Sequence, residues 1–260
     1  MWDPAQYGRY ADERSRSYHE LVGRIAADRP GLVVDLGCGD GWLTMTLAER
    51  WPAATVLGID SSEAMLAEAA GRATPRLRFA SGRIEDWRPD RPVDVLVSNA
   101  ALHWVPDHRS HLPRLVEMLA PGGWLAVQMP GNGDAPSHRL LTALRRSPRW
   151  RDRVGAGPER WPDVADPADY ARQLLGLGCR VDAWETTYVH VLTGPDPVLE
   201  WTRGTALRPV LAQLAAVDVP DFEADYAASL RSAYPAESYG TVLPFRRVFF
   251  VAQRAAEPLG

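Results

Sequence analysis

The sequence contains no lysine, so all 29 of its basic residues are arginine. Two compatible readings follow. A genome rich in G and C favours arginine codons, and arginine also clamps polyanions bidentately, which lysine does poorly. There is no basic excess either. With 33 acidic residues the net charge is −4, which argues against a nucleic-acid partner. Cysteine is scarce: Cys38 and Cys179 exclude a disulfide scaffold and lack metal-site spacing. No apolar run approaches the length that spans a bilayer, so no membrane segment is expected. The opening Met1-Trp2-Asp3-Pro4 lacks the basic and apolar segments of an export signal, and a cytoplasmic location is expected. No internal repeat or low-complexity tract is visible.

What is present reads as one α/β domain of 260 residues, 46% hydrophobic, with an appended lid. Residues 8–28 pattern as an amphipathic helix within an N-terminal unit, residues 1–30. Strands and helices then alternate. Strands are expected at Leu32–Leu36, Thr55–Ile59, Leu77–Ala80, Val93–Ser98 and Trp124–Gln128. Helices are expected at Trp42–Arg50, Glu63–Ala70 and His111–Leu119, with Ser61 and Ser62 as N-cap candidates. That alternation implies a mostly parallel sheet with helices on both faces. Residues 148–167 read as a long loop, Pro167–Gly176 as a helix, and Val181–Leu192 and Val242–Ala252 as strands. Residues 31–192 and 241–254 would form the core. The proline-broken helical block at 195–235 is the expected lid.

The strongest local signal is Asp35-Leu36-Gly37-Cys38-Gly39-Asp40-Gly41, a glycine-rich turn between a strand and a helix. Such a turn lets the backbone approach a ligand at the carboxyl end of a parallel strand. A nicotinamide dehydrogenase is the obvious rival, but its third glycine would fall at Trp42. Asp35 before the first glycine would repel a pyrophosphate, yet could pair with the amino group of a methionine moiety. Asp60, about twenty residues on, suits a ribose diol, or alternatively caps the next helix. In Gly82-Arg83-Ile84-Glu85-Asp86, either an acidic side chain (Glu85 or Asp86) or backbone around Ile84 would read an adenine.

These motifs resemble those of class I S-adenosylmethionine-dependent methyltransferases: the glycine turn, then Asp60-Ser61-Ser62 before a helix carrying Met65. The likeness sharpens elsewhere. Trp2-Asp3-Pro4 with Tyr7 and Glu13-Arg14-Ser15-Arg16, Asn99 to Asp107 (containing Leu102-His103-Trp104), Gly204 to Pro209, and Pro244-Phe245-Arg246-Arg247 resemble the trans-aconitate 2-methyltransferase family. The likeness covers nearly the whole chain. Arg83, Asp40 and Ser17 depart from the family's pattern.

The resemblance implies a Rossmann-like seven-stranded sheet with a helical lid before the last strand. It implies S-adenosyl-L-methionine held by Asp35, Gly37, Cys38, Gly39, Asp60, Ser61, Met65, Ile84, Glu85 and Asn99. It also implies a small carboxylate acceptor converted to a methyl ester. A carboxylate is already ionised near neutrality, so no catalytic base is expected, and His103 and Trp104 are pocket candidates. Arginine clamps for the acceptor are sought among Arg14, Arg16, Arg208, Arg246 and Arg247. The last two are adjacent in a strand, so only one of them should face the site. The spacing of His103, His108 and His111 fits no common zinc site, so no metal is expected. Rival readings are a methyltransferase for another small acid or a natural-product hydroxyl, and a non-catalytic S-adenosylmethionine-binding module. A monomer is the default expectation.

Overall fold

The computed structural model describes residues 11–154 and 164–256, with side chains from Ser15 onward. In chain order the elements are α1 (Ala11–Gly23), β1 (Leu32–Leu36), α2 (Trp42–Arg50), β2 (Thr55–Asp60), α3 (Glu63–Ala69), β3 (Leu77–Ser81) and β4 (Val93–Asn99). Then come α4 (Leu112–Glu117), β5 (Leu119–Pro130), α5 (Pro136–Arg146), α6 (Pro167–Gly176) and β6 (Cys179–Leu192). Last are α7 (Pro197–Arg203), α8 (Arg208–Leu211), α9 (Val219–Ala233), β7 (Ala236–Glu237) and β8 (Gly240–Arg254).

The strands form one sheet in the order β3-β2-β1-β4-β5-β8-β6, with the two-residue β7 paired to β8. β1 to β5 pair in parallel, and β8 runs antiparallel to both β5 and β6. Parallel strands bury both faces, and all five residues of β1 are buried. Alternation sorts the side chains. Leu125, Val127, Val248 and Phe250 pack with α4 and α6 on one face. Ala126, Phe249 and Val251 pack with Tyr18, Leu21 and Leu47 on the other. The N-terminal helix is held to the far edge of the sheet by Glu20, whose carboxylate accepts from Trp184 Nε1 at 2.7 Å, Thr186 Oγ1 at 2.8 Å and the Tyr188 hydroxyl.

Chain order reverses between β1 and β4, which lie side by side. That reversal opens a crevice at their carboxyl ends, the general ligand position of open α/β sheets.

Above this crevice lies a second layer with its own apolar core. It joins Leu141 and Trp150 to Trp201, Leu207, Phe222 and Tyr226. The layer is therefore built from two chain segments, not from residues 195–235 alone. Arg149 pairs with Asp221 and Asp225 at 2.7 Å each, Arg153 with Asp218 at 3.0 Å, and Trp150 Nε1 donates to Asp225 at 2.8 Å. These contacts fasten the segment after α5 onto α9.

Several expectations change. The first helix ends at Gly23, short of residue 28. Helix α5 was not foreseen, although its apolar Leu140, Leu141 and Leu144 recur at helical spacing. The expected His111–Leu119 helix is shorter, Leu112–Glu117, and β5 begins at Leu119 and runs to Pro130; β6 starts two residues early at Cys179, and β8 extends at both ends. Of the expected 148–167 loop, residues 155–163 lie outside the described residues, as do Trp2 to Tyr7. Among the described residues no helix is long and apolar enough to cross a membrane, and no cluster of metal-ligating side chains occurs.

Candidate active site

A cavity of about 1320 Å³ occupies the crevice and extends beneath the second layer. Its floor is the glycine turn after β1. Gly37 and Gly39 have φ of +81° and +58°, in the region that glycine enters without a Cβ penalty. A Cβ on Gly37 would stand 2.2 Å from the Cβ of Ala101, whereas one on Gly39 would meet no protein atom within 4 Å. Gly37 is thus required by packing, and Gly39 presents bare backbone to the cavity. The close helix–strand packing expected of a third glycine falls to Gly41, where a Cβ would come within 2.5 Å of the Phe79 ring. Trp42 is 40% exposed and lines the cavity.

Three polar groups converge on that floor. The Asp35 carboxylate is buried, and Thr44 Oγ1 donates to it at 2.7 Å. Burial pushes its pKa up to about 6, with the Thr44 hydrogen bond opposing and the charge of Asp60 adding to the rise. Asp60 accepts from Gly39 N at 2.9 Å and from Ser62 N at 2.8 Å. Ser62, not Asp60, caps α3 through its hydroxyl. Each Asp60 oxygen keeps a further lone pair for hydroxyl donors. Asn99 ends β4 with a buried Oδ1 that has no hydrogen-bond partner. The next residue, Ala100, has φ +51°, a strained turn of the kind that clusters at functional sites.

Cys38, Ser61, Met65, Ile84 and Glu85 also line this end. Asp86 does not, so of the two acidic candidates only Glu85 reaches the cavity. Arg83 pairs with Glu85 at 2.8 Å, and Arg114 donates to the Ile84 carbonyl at 2.6 Å, fixing the loop.

Tyr18 of α1, whose hydroxyl donates to Leu43 O at 3.1 Å, stands beside Asp35, and the rest of the cavity lining includes Ser15, His103, Asn132, His138, Thr202, Thr205, Arg208 and Arg247. Arg247 is 6% exposed, donates to Gln128 Oε1 at 3.3 Å and stacks over Phe245. His103 is 7% exposed and its Nδ1 has no hydrogen-bond partner. Burial, reinforced by Arg247, pushes its pKa down to about 3. Burial also lowers His138, to about 4. The Trp104 ring lies 4.8 Å from that of His103, tilted by 39°, and remains 53% exposed.

Residues 33–123 match the family described as Methyltransferase domain. Over 262 residues the chain is 50% identical to the trans-aconitate 2-methyltransferase of Streptomyces avermitilis, covering 98% of this chain and 97% of that one. It is 48% identical to the trans-aconitate 2-methyltransferase of Mycobacterium tuberculosis, over 97% of each chain.

The chain belongs to the trans-aconitate 2-methyltransferase family.

The likeness to solved structures concerns the fold. The YcgJ protein of Bacillus subtilis superposes with a TM-score of 0.63 at 14% identity, over 92% of this chain and 98% of that one. As a member of the trans-aconitate 2-methyltransferase family the chain is a methyltransferase, and S-adenosyl-L-methionine is its cosubstrate. The site's chemistry fits that molecule. The unpartnered Asn99 Oδ1 and the Asp35 carboxylate suit an ammonium group, Asp60 suits a diol, and the Gly39 backbone leaves room for close approach.

Of the arginines expected to clamp the acceptor, Arg208 and Arg247 line the cavity. Arg246 does not, and that expectation is corrected. As the neighbour of Arg247 in a strand it faces the opposite side, where it pairs with Asp166 at 2.8 Å and Glu185 at 2.6 Å. Arg16 is likewise corrected: it is exposed, off the cavity lining, with its guanidinium over the Tyr188 ring. The Arg14 side chain lies outside the described residues. His108 is a core residue bonded to Tyr170 at 2.7 Å. The sequence reading missed Ser15, Tyr18, Asn132 and His138. Only tertiary packing brings them together, and no local spacing marks them.

Proposed function

We propose that the chain transfers the methyl group of S-adenosyl-L-methionine to a carboxylate of trans-aconitate, or of a closely related polycarboxylate, giving a monomethyl ester. One observation carries this reading. Identity near 50% to relatives named for that reaction runs through 97–98% of the chain, including the second layer that lines the acceptor end of the cavity.

Bound at the glycine turn, S-adenosyl-L-methionine supplies a sulfonium-activated methyl group that an acceptor oxygen takes by in-line displacement. Asp35 and Asn99 would hold its ammonium group and Asp60 its ribose. Arg208 and Arg247 hold carboxylates of the acceptor from opposite sides, one from the second layer and one from the sheet. Positioning of this kind lowers a barrier by roughly 7–11 kcal/mol. The second layer, acting as the lid, excludes water from the cavity beneath it.

The histidines favour a carboxylate over a hydroxyl. An alcohol or phenol requires a base with a pKa near the working pH. His103 and His138, at about 3 and about 4, are too weak for that task. A carboxylate arrives already ionised and requires none.

The test is incubation with methyl-labelled S-adenosyl-L-methionine and trans-aconitate, followed by mild alkali. Label released as methanol is expected. Label that resists alkali, or no transfer to trans-aconitate at all, overturns the reading.

A further inference from the structure

We propose that His103, kept neutral, donates an imidazole N–H to a non-reacting carboxylate of the acceptor, and that this contact makes the site select polycarboxylates. The proposal rests on the carboxyl-methylation reading and assigns a specificity role within it.

His103 lines the acceptor end of the cavity from the turn after β4, close to the floor where the methyl group is presented. It is 7% exposed, and its Nδ1 is buried without a hydrogen-bond partner. Such an atom leaves a desolvation cost unmet until a ligand arrives. A histidine's tautomer is normally fixed by the hydrogen bond that one ring nitrogen makes to the protein. No partner on Nδ1 fixes it here, so the ligand decides which nitrogen carries the proton. The Trp104 ring lies beside it, with centroids 4.8 Å apart and planes tilted by 39°. The guanidinium of Arg247, from β8, repels a second positive charge on His103.

A neutral donor beside a fixed cation is a graded clamp. Arg247 supplies charge to one carboxylate. His103 supplies a directed hydrogen bond without a second full charge, which would also draw in the reacting oxygen and blunt its attack. An acceptor with a single carboxylate must spend that group on the methyl transfer and leaves His103 unsatisfied. A polycarboxylate satisfies it.

The experiment compares wild type with His103→Leu and His103→Gln. The acceptors are trans-aconitate and a monocarboxylate analogue, which has no second carboxylate to offer His103. His103→Leu should raise KM for trans-aconitate by about 10- to 100-fold, the size expected for losing a hydrogen bond to a charged group. KM for the monocarboxylate should rise far less than KM for trans-aconitate, and the loss should not be carried by the affinity for S-adenosyl-L-methionine. His103→Gln, which retains an N–H donor, should recover part of the loss. Equal losses with both acceptors, or a loss confined to S-adenosyl-L-methionine, overturn the proposal.

A second measurement requires no variant to fold. In wild-type protein saturated with S-adenosylhomocysteine, adding trans-aconitate should shift the ring ¹⁵N signals of His103 while they stay in the neutral range. No shift, or a shift to the doubly protonated range, overturns the proposal. Wild-type turnover of trans-aconitate is read separately, so failure of the carboxyl-methylation reading is distinguishable from failure of the His103 assignment.

Discussion

Asp60 Oδ2 accepts the backbone N–H of Gly39 at 2.9 Å and so ties the end of β2 to the glycine turn after β1. Its other oxygen accepts from Ser62 N at 2.8 Å. One carboxylate thus shapes the donor site and presents itself to it. Asp60→Ala removes a charge-assisted acceptor from two backbone donors. We expect a loss of about 1–3 kcal/mol in stability and weaker S-adenosyl-L-methionine binding, read by denaturant unfolding and calorimetry. Unchanged affinity would remove Asp60 from the donor site.

The two glycines of the turn should separate packing from binding. Gly37→Ala drives a Cβ to 2.2 Å from that of Ala101 and should lower the unfolding temperature as well as abolish donor binding. Gly39→Ala meets no protein atom within 4 Å. It should cost only about 1–2 kcal/mol of left-handed strain, while its methyl group intrudes on the ligand. Thermal unfolding and titration of both variants decide this. Equal destabilisation would contradict the distinction.

Asp35 gives a pH signature. Burial raises its folded-state pKa to about 6 from the ordinary aspartate value of 3.8. Its stabilising contribution is therefore fully present below pH 3.8 and is lost as pH rises through about 6. The ligand-free protein should thus carry a penalty of about 1–3 kcal/mol above pH 7 from this residue, which Asp35→Asn removes. Its thermal stability should exceed that of wild type at pH 8 and not at pH 4, while its affinity for S-adenosyl-L-methionine falls. Parallel pH profiles for the two proteins would refute the assignment.

Arg246 and Arg247 provide a matched pair. Arg246→Ala breaks partly exposed ion pairs to Asp166 and Glu185. It should cost about 1 kcal/mol or less, with KM for the acid unchanged. Arg247→Ala should raise that KM by about 10- to 100-fold. Arg247→Lys, which keeps charge but loses the fork, should fall between. Steady-state kinetics with the acid varied reads all three, and a KM that follows Arg246 would invert the assignment.

The parallel half of the fold is legible because its signals are local. A five-residue apolar strand such as Leu32–Leu36, followed by glycine and a helix, announces a βα unit by itself. Alternation in the strand Pro244 to Phe250 shows that Arg246 and Arg247 part company. It cannot show which one faces inward, because that depends on which side of β8 receives α1. The second layer is illegible for a similar reason. Trp150 and Phe222 form one core, yet 72 positions separate them, and neither segment buries its apolar face alone. Asn132, Ser15 and His138 enter the cavity from three separate elements, so their convergence has no spacing to reveal it.

The proposed reaction is methylation of a polycarboxylate chosen at the acceptor end of the cavity. Its most direct test is kcat/KM for trans-aconitate, cis-aconitate, isocitrate and citrate at saturating S-adenosyl-L-methionine, with ester formation as the readout. Turnover of trans-aconitate is expected well above that of the other three. Comparable turnover of all four, or none with any acid despite tight S-adenosyl-L-methionine binding, would contradict it.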